Sequence, residues 1–188
     1  MAARPPGGPR VVYGLTMRVS LALTVIAGDR PGLVERLAAT VAEHGANWEA
    51  SHMARLAGQF AGILLVTIDA GAADGLVASL RGLDAHGLSV SVHPTQAPSA
   101  PVGGRVMLDI VGADRPGIVR DVARVIAERG INVEELETDV SSAPMSGEPL
   151  FRARALLRMP AGASPVDLRS RLEALANELM VEIEIGDG

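Results

Sequence analysis

The strongest constraint on this chain is that it says one thing twice. Asp29-Arg30-Pro31-Gly32-Leu33-Val34 returns as Asp114-Arg115-Pro116-Gly117-Ile118-Val119, 85 positions later. At the same offset Leu21, Leu23 and Val25 fall on Val106, Leu108 and Ile110, Gly45 on Gly130, and Asn47 on Asn132. A strand, a sharp turn and a helix have been duplicated, and 188 residues then divide into two small domains rather than one large one.

In each copy the pattern reads βαββαβ. Alternation predicts a strand over 20–26, and Leu33, Leu37 and Val41 recur at helical spacing, with Gly45 as a left-handed stop. Asp29 is placed to cap that helix and Pro31 to open its first turn. Strands over 46–54 and 60–68, a helix over 71–86 and a strand from Leu88 to Val92 complete the first copy. The second repeats the order, with strands over 106–111, 131–140, 150–159 and 181–185 and helices over 116–129 and 164–179. The expected fold class is α+β: two ferredoxin-like domains, each a four-stranded antiparallel sheet with both helices on one face. The other face is left bare, so a second copy is expected to cover it.

Composition fixes the boundaries. Residues 1–17 hold Pro5-Pro6-Gly7-Gly8-Pro9 and read as a loose tail, with Met17 as an alternative start. The first domain then spans 18–93, a Pro- and Gly-rich linker 94–104, and the second domain 105–186. The copies differ most at Ser141 to Pro149, where the second carries six more residues than the first; such a loop is a candidate for recognition.

The duplicated turn is the one constellation with a binding chemistry of its own. A helix N-terminus presents unpaired N–H groups, and Gly32 or Gly117 admits a carboxylate close to them. Asn47 and Asn132 offer a donor and an acceptor, and Asp29 and Asp114 could meet an ammonium group. The same residues could equally be caps and turn-formers and nothing more. Other chemistries are poorly served: there is no cysteine, the four histidines lack metal-ligand spacing, and no phosphate loop or nucleophile motif is present. Glu134, Glu135, Glu137 and Asp139 are spread by alternation over both faces of a strand, which does not suit an acid/base pair. The reading is of a protein that is not an enzyme and needs no cofactor or metal. A net charge of −5 argues against direct nucleic-acid binding, and no apolar run suits a membrane helix; both fit the cytoplasm.

The βαββαβ order with Asp-Arg-Pro-Gly at its first turn resembles the ACT domain, a regulatory module that commonly binds amino acids between paired copies. The tandem arrangement is similar to the glycine cleavage system transcriptional repressor family. That likeness rests on Asn47-Trp48-Glu49-Ala50-Ser51-His52-Met53, on Asn132-Val133-Glu134-Glu135-Leu136-Glu137-Thr138, and above all on Ala143 to Phe151. The resemblance implies an amino-acid sensor, with glycine or serine as first candidates, that forms a homo-oligomer such as a dimer and acts through a separate DNA-binding protein. It places ligand contacts on Asp29, Arg30, Pro31, Gly32 and Leu33 with Asn47, and on Asp114, Arg115, Pro116, Gly117 and Ile118 with Asn132. Trp48 and His52 depart from the family pattern and imply an altered first site. A ligand-free adaptor that contacts protein partners is the competing expectation.

Overall fold

A computed structural model of the chain describes residues 17–95, 103–143 and 147–187. The tail expected over 1–17 lies outside them except for Met17, as do residues 96–102 of the expected linker. The chain divides into two compact units, Met1–Pro98 and Ser99–Gly188.

The first unit runs β1 (Arg18–Gly28), α1 (Leu33–Glu43), β2 (Asn47–Leu56), β3 (Gln59–Asp69), α2 (Ala73–Gly82) and β4 (Leu88–Thr95). Its sheet order is β2-β3-β1-β4, with antiparallel pairing throughout. Pro94 and Thr95, expected to begin the linker, are instead the last residues of β4, where they oppose Leu21 and Ser20. The helix expected over 71–86 is α-helical only over Ala73–Gly82, and two short 3-10 turns, at Ala70–Ala72 and Leu83–His86, take up its ends.

Leu21, Leu23 and Val25 point to one side of the sheet and are buried with Leu64, Val66 and Ile68 of β3. Leu37 and Val41 of α1 and Leu76 and Leu80 of α2 close over them. Both helices therefore share one face, and the intervening strand residues Thr24, Ile26 and Ile63 are exposed on the other. With few aromatic rings, the core is filled by Leu, Val and Ile, whose branched side chains interdigitate at close packing.

The second unit repeats this as β5 (Arg105–Ala113), α3 (Ile118–Ala127), β6 (Asn132–Ser142), β7 (Pro149–Arg158), α4 (Pro165–Leu179) and β8 (Val181–Asp187), in sheet order β6-β7-β5-β8. Each domain has a β-bulge in its edge strand, between Trp48 and Ala50 in β2 and between Val133 and Glu135 in β6. The bulge changes the reading of the acidic cluster. Glu135, Glu137 and Asp139 oppose Leu156, Arg154 and Arg152, so all three lie on the open side of the sheet, and Glu134 reaches Arg158 on that side too. They are not divided between faces, because the extra residue of a bulge resets the alternation. Between β6 and β7, Ala143 and Glu148 close the loop by a backbone bond of 2.8 Å, and Pro144, Met145 and Ser146 lie outside the described residues.

Candidate functional site

The duplicated turns are built alike, and not quite as the sequence suggests. Asp29 does not cap α1 and Pro31 is not within it. The residue at the N-cap is Gly32, left-handed at φ 88°, and the helix begins at Leu33. Gly117 does the same for α3 at φ 101°. A left-handed residue here turns the strand sharply into the helix, and a side chain would resist it. Having no side chain, glycine also leaves the first N–H groups of the helix without a side-chain cap. The Arg36 amide donates to the Gly32 carbonyl at 3.1 Å, and Asp121 to Gly117 at 3.0 Å, which starts each helical ladder.

Other residues of the motif are occupied by the fold. The backbone N–H of Asp29 donates to the Gly58 carbonyl at 2.9 Å, and its carboxylate pairs with Arg55 at 2.5 Å. The Asp114 amide bonds the Pro149 carbonyl at 3.0 Å. Arg30 donates to the carbonyl of His86, and Arg115 to that of Glu178 at 3.4 Å. In both domains, then, the motif arginine ties the turn to the C-terminal end of the second helical segment, where a cation meets the negative pole of the helix. Pro31 and Pro116 are exposed beside the glycines, while Leu33 and Ile118 are buried in the two cores.

The asparagines do not join these turns within a domain. Asn47 opposes Thr67, which opposes Ser20, so it sits beside the start of β1, whereas the turn follows the end of β1 at Gly28. Eight strand residues separate the two, roughly 26 Å. Moreover β3 lies between β2 and β1. Asn132 is related to Arg158 and Arg105 in the same way. The helix carries the chain from one end of the sheet to the other, and spacing in sequence does not reveal that. Trp48, beside Asn47, packs against the first core, and His52 opposes Ile63 on the open face, half-way along the sheet.

What Asn47 does instead is bond the bulge residue. Its amide donates to Glu49 at 2.9 Å, Thr67 donates to the same carboxylate at 2.6 Å, and Arg18 donates to Thr67 at 3.0 Å. These hydrogen bonds, that of Thr67 foremost, hold Glu49 below the usual carboxylate range. Glu134 is its counterpart, gripped by Arg158 at 2.9 Å and Arg105 at 2.8 Å and likewise lowered, mainly by the Arg158 hydrogen bond. The motif search passed over this repeated bulge glutamate. Its register with Asn47 and Asn132 was the available signal.

The two turns differ decisively in what faces the glycine. A Cβ on Gly32 would meet nothing within 4 Å. The turn opens onto a depression of about 520 Å³ whose walls include Arg30, Glu35, Arg36 and His86. At Gly117 the same position faces Arg120 Nη2 at 3.2 Å and Asp121 Oδ2 at 3.6 Å. Where the first copy reads Glu35-Arg36, the second reads Arg120-Asp121, with the charges reversed. The Asp121 carboxylate accepts from Arg120 at 3.0 and 3.1 Å, and that hydrogen bond is the main reason it stays below the ordinary aspartate range. An acid of the chain itself thus stands at the α3 N-terminus, where a ligand's carboxylate would be drawn. Among the described residues, no group of three or more His, Asp or Glu could hold a metal ion, and no helix is long and apolar enough to cross a membrane.

Two family models match the chain, both described as ACT domain, over residues 20–93 and 106–153. The chain belongs to the ACT-domain family. Its two ACT domains are similar to the glycine cleavage system transcriptional repressor of Escherichia coli (strain K12), at 25% identity over 161 residues and 85% of each chain. The UPF0237 protein MK1213 of Methanopyrus kandleri is 42% identical over 80 residues, covering 42% of this chain and 82% of that one. Among solved structures, an unknown protein from Galdieria sulphuraria superposes with a TM-score of 0.76 at 28% identity, covering 92% of this chain and 99% of the other. The matched span of the repressor runs through both ACT domains of this chain.

Proposed function

We propose that this protein is an amino-acid-responsive regulator whose first ACT domain takes the carboxylate of a small amino acid, glycine or serine, at the Gly32 turn. The observation that supports this reading is the open approach to Gly32 beside Arg36 and Glu35. The helix N–H groups and Arg36 would receive the carboxylate, and Glu35 the ammonium. Asp29, Arg30, Pro31 and Leu33 shape the turn rather than touch the ligand. Asn47 and Asn132 stand outside the turn of their own domain and are not needed for this contact. The second turn, with Asp121 already at its helix end, suits the competing adaptor role, in which Asp114 to Ile118 bind nothing.

Similarity to a transcriptional repressor and a net charge of −5 together favour action on transcription through a separate DNA-binding partner. The amino acid would act by binding one state of the regulator more tightly than another. The test is a thermal-shift panel of amino acids read by Trp48 fluorescence. At one hundred times the dissociation constant, a true ligand stabilises by about 2.7 kcal/mol. The double variant Glu35→Arg with Arg36→Asp, which gives the first turn the charges of the second, should abolish the shift and leave the fold intact. No shift with any amino acid would leave the adaptor reading in its place.

A further inference from the structure

The groove between the first helix and the edge strand is closed in one domain and open in the other. In the first domain Trp48 of β2 packs against the core, and its indole N–H reaches along the strand to Ser51 Oγ at 3.4 Å. Ser51 opposes Leu64 of β3, which is fully buried. At the corresponding positions the second domain has Val133, Leu136 and, opposite Leu136, Ala155. The indole and the buried leucine have both given way to smaller side chains, and Leu136 does not fill the gap, being 52% exposed. What remains is an apolar hollow of about 40 Å³, bounded by Ala153 and Ala155 of β7, Val122 and Ile126 of α3, and Val133 and Leu136 of β6. It has room for the tip of one large apolar side chain.

The hollow lies beside a strand that still has a partner to gain. β6 stands at the edge of its sheet, and from Glu135 to Ser142 it pairs with β7 in unbroken register, so along this run its outer row of backbone N–H and C=O groups has no strand beside it among the described residues. Its side chains alternate. Leu136, Thr138 and Val140 point to the helix side, where Leu136 and Val140 are both exposed, and Glu135, Glu137 and Asp139 point to the open side. Arg154, which opposes Glu137, is paired with Asp109 at 2.9 Å, and none of the three acids forms an ion pair among the described residues.

We infer that the β6 edge docks an extended segment of another protein in which large apolar residues alternate with Lys or Arg. Such a segment adds a strand to the sheet, and the period of two then sends its apolar side chains over the hollow and its cations alongside the three acids. Charge selects this occupant over a second copy of the same edge. Two β6 strands laid antiparallel would set Glu137 against Glu137 and Glu135 against Asp139, and like charges directly opposite one another destabilise a pair. The inference uses neither turn and stands whether or not an amino acid binds at Gly32.

The probe is a fluorescein-labelled octapeptide of alternating lysine and leucine, and its control has the same composition with all the lysines ahead of the leucines. Anisotropy with the full chain should show saturable binding of the alternating peptide and binding at least about tenfold weaker for the control, which cannot place one residue type on each side of a strand. Val133→Trp with Leu136→Ser gives the second domain the two residues found at the closed groove of the first, and should weaken the alternating peptide by a similar factor with an unchanged circular-dichroism spectrum. Glu135→Lys with Glu137→Lys should lose the lysine peptide and gain one in which glutamate replaces lysine, an exchange that a folding defect cannot imitate. No saturable binding, equal binding of the two orderings, or a charge reversal that fails to exchange the peptides would each overturn the inference. So would a change in the sedimentation of the peptide-free chain on Val133→Trp with Leu136→Ser, because a second copy of the chain would then be what holds the groove.

Discussion

Arg30 reaches from the first β-to-α turn to the backbone carbonyl of His86, and so fastens one end of the first domain to the close of its second helical segment. Arg115 makes the corresponding bond to Glu178. The motif arginine is therefore part of the fold in both copies. Arg30→Ala should lower the stability of the first domain by about 1 kcal/mol, the typical net worth of such a hydrogen bond. Urea unfolding followed by Trp48, the single tryptophan and a first-domain residue, reads that domain alone. Arg115→Ala should leave the Trp48 transition where it was.

Glycine at the two turns can be tested in the same manner. Gly32→Ala forces an L side chain into a left-handed residue and should cost about 1 kcal/mol from backbone strain alone, since the new Cβ meets nothing. Gly117→Ala adds crowding against Arg120 and should be the more damaging. Thermal unfolding by circular dichroism, with Trp48 fluorescence separating the domains, orders the two. Equal losses would show that Arg120 swings aside freely.

Gly62 sits where β3 passes β2. A Cβ there would run into the His52 carbonyl oxygen and lie 2.5 Å from Met53 Cγ. Gly62→Ala should therefore destabilise the first domain by about 2 to 3 kcal/mol, as overpacking of a close approach does. Gly28→Ala, where nothing lies within 4 Å and φ is not positive, should be nearly silent by the same assay.

Acid should loosen the second domain through Glu134. Its folded-state pKa is depressed by Arg158 and Arg105, so its contribution is complete above the ordinary glutamate value of about 4.3 and fades as pH falls through the lower folded value. Glu134→Gln should be less stable than wild type at pH 7, and the difference should shrink toward pH 3. Urea midpoints measured by circular dichroism at the two pH values check this. A gap of constant size would mean that the carboxylate's charge is not what Arg158 holds.

By itself the sequence determined the repeat, the βαββαβ order, the inward faces and the family. Leu21, Leu23 and Val25 alternate, and Leu33, Leu37 and Val41 follow the helical period, because burial imposes those periods on the chain locally. Gly45 and Gly130 were legible as helix ends for the same local reason, and both have positive φ, at 69° and 63°. The site was legible only as a motif. That Asn47 lies at the far end of the sheet from Gly32 depends on strand pairing, and a bulge brought Glu134 to the face that Glu135, Glu137 and Asp139 share. Which turn stands open was settled by Asp121 and Arg120 folding back over Gly117. Local periodicity is written along the chain, but the neighbours of a side chain across a sheet are chosen by the fold, and in these two domains it is those neighbours that make the copies unequal.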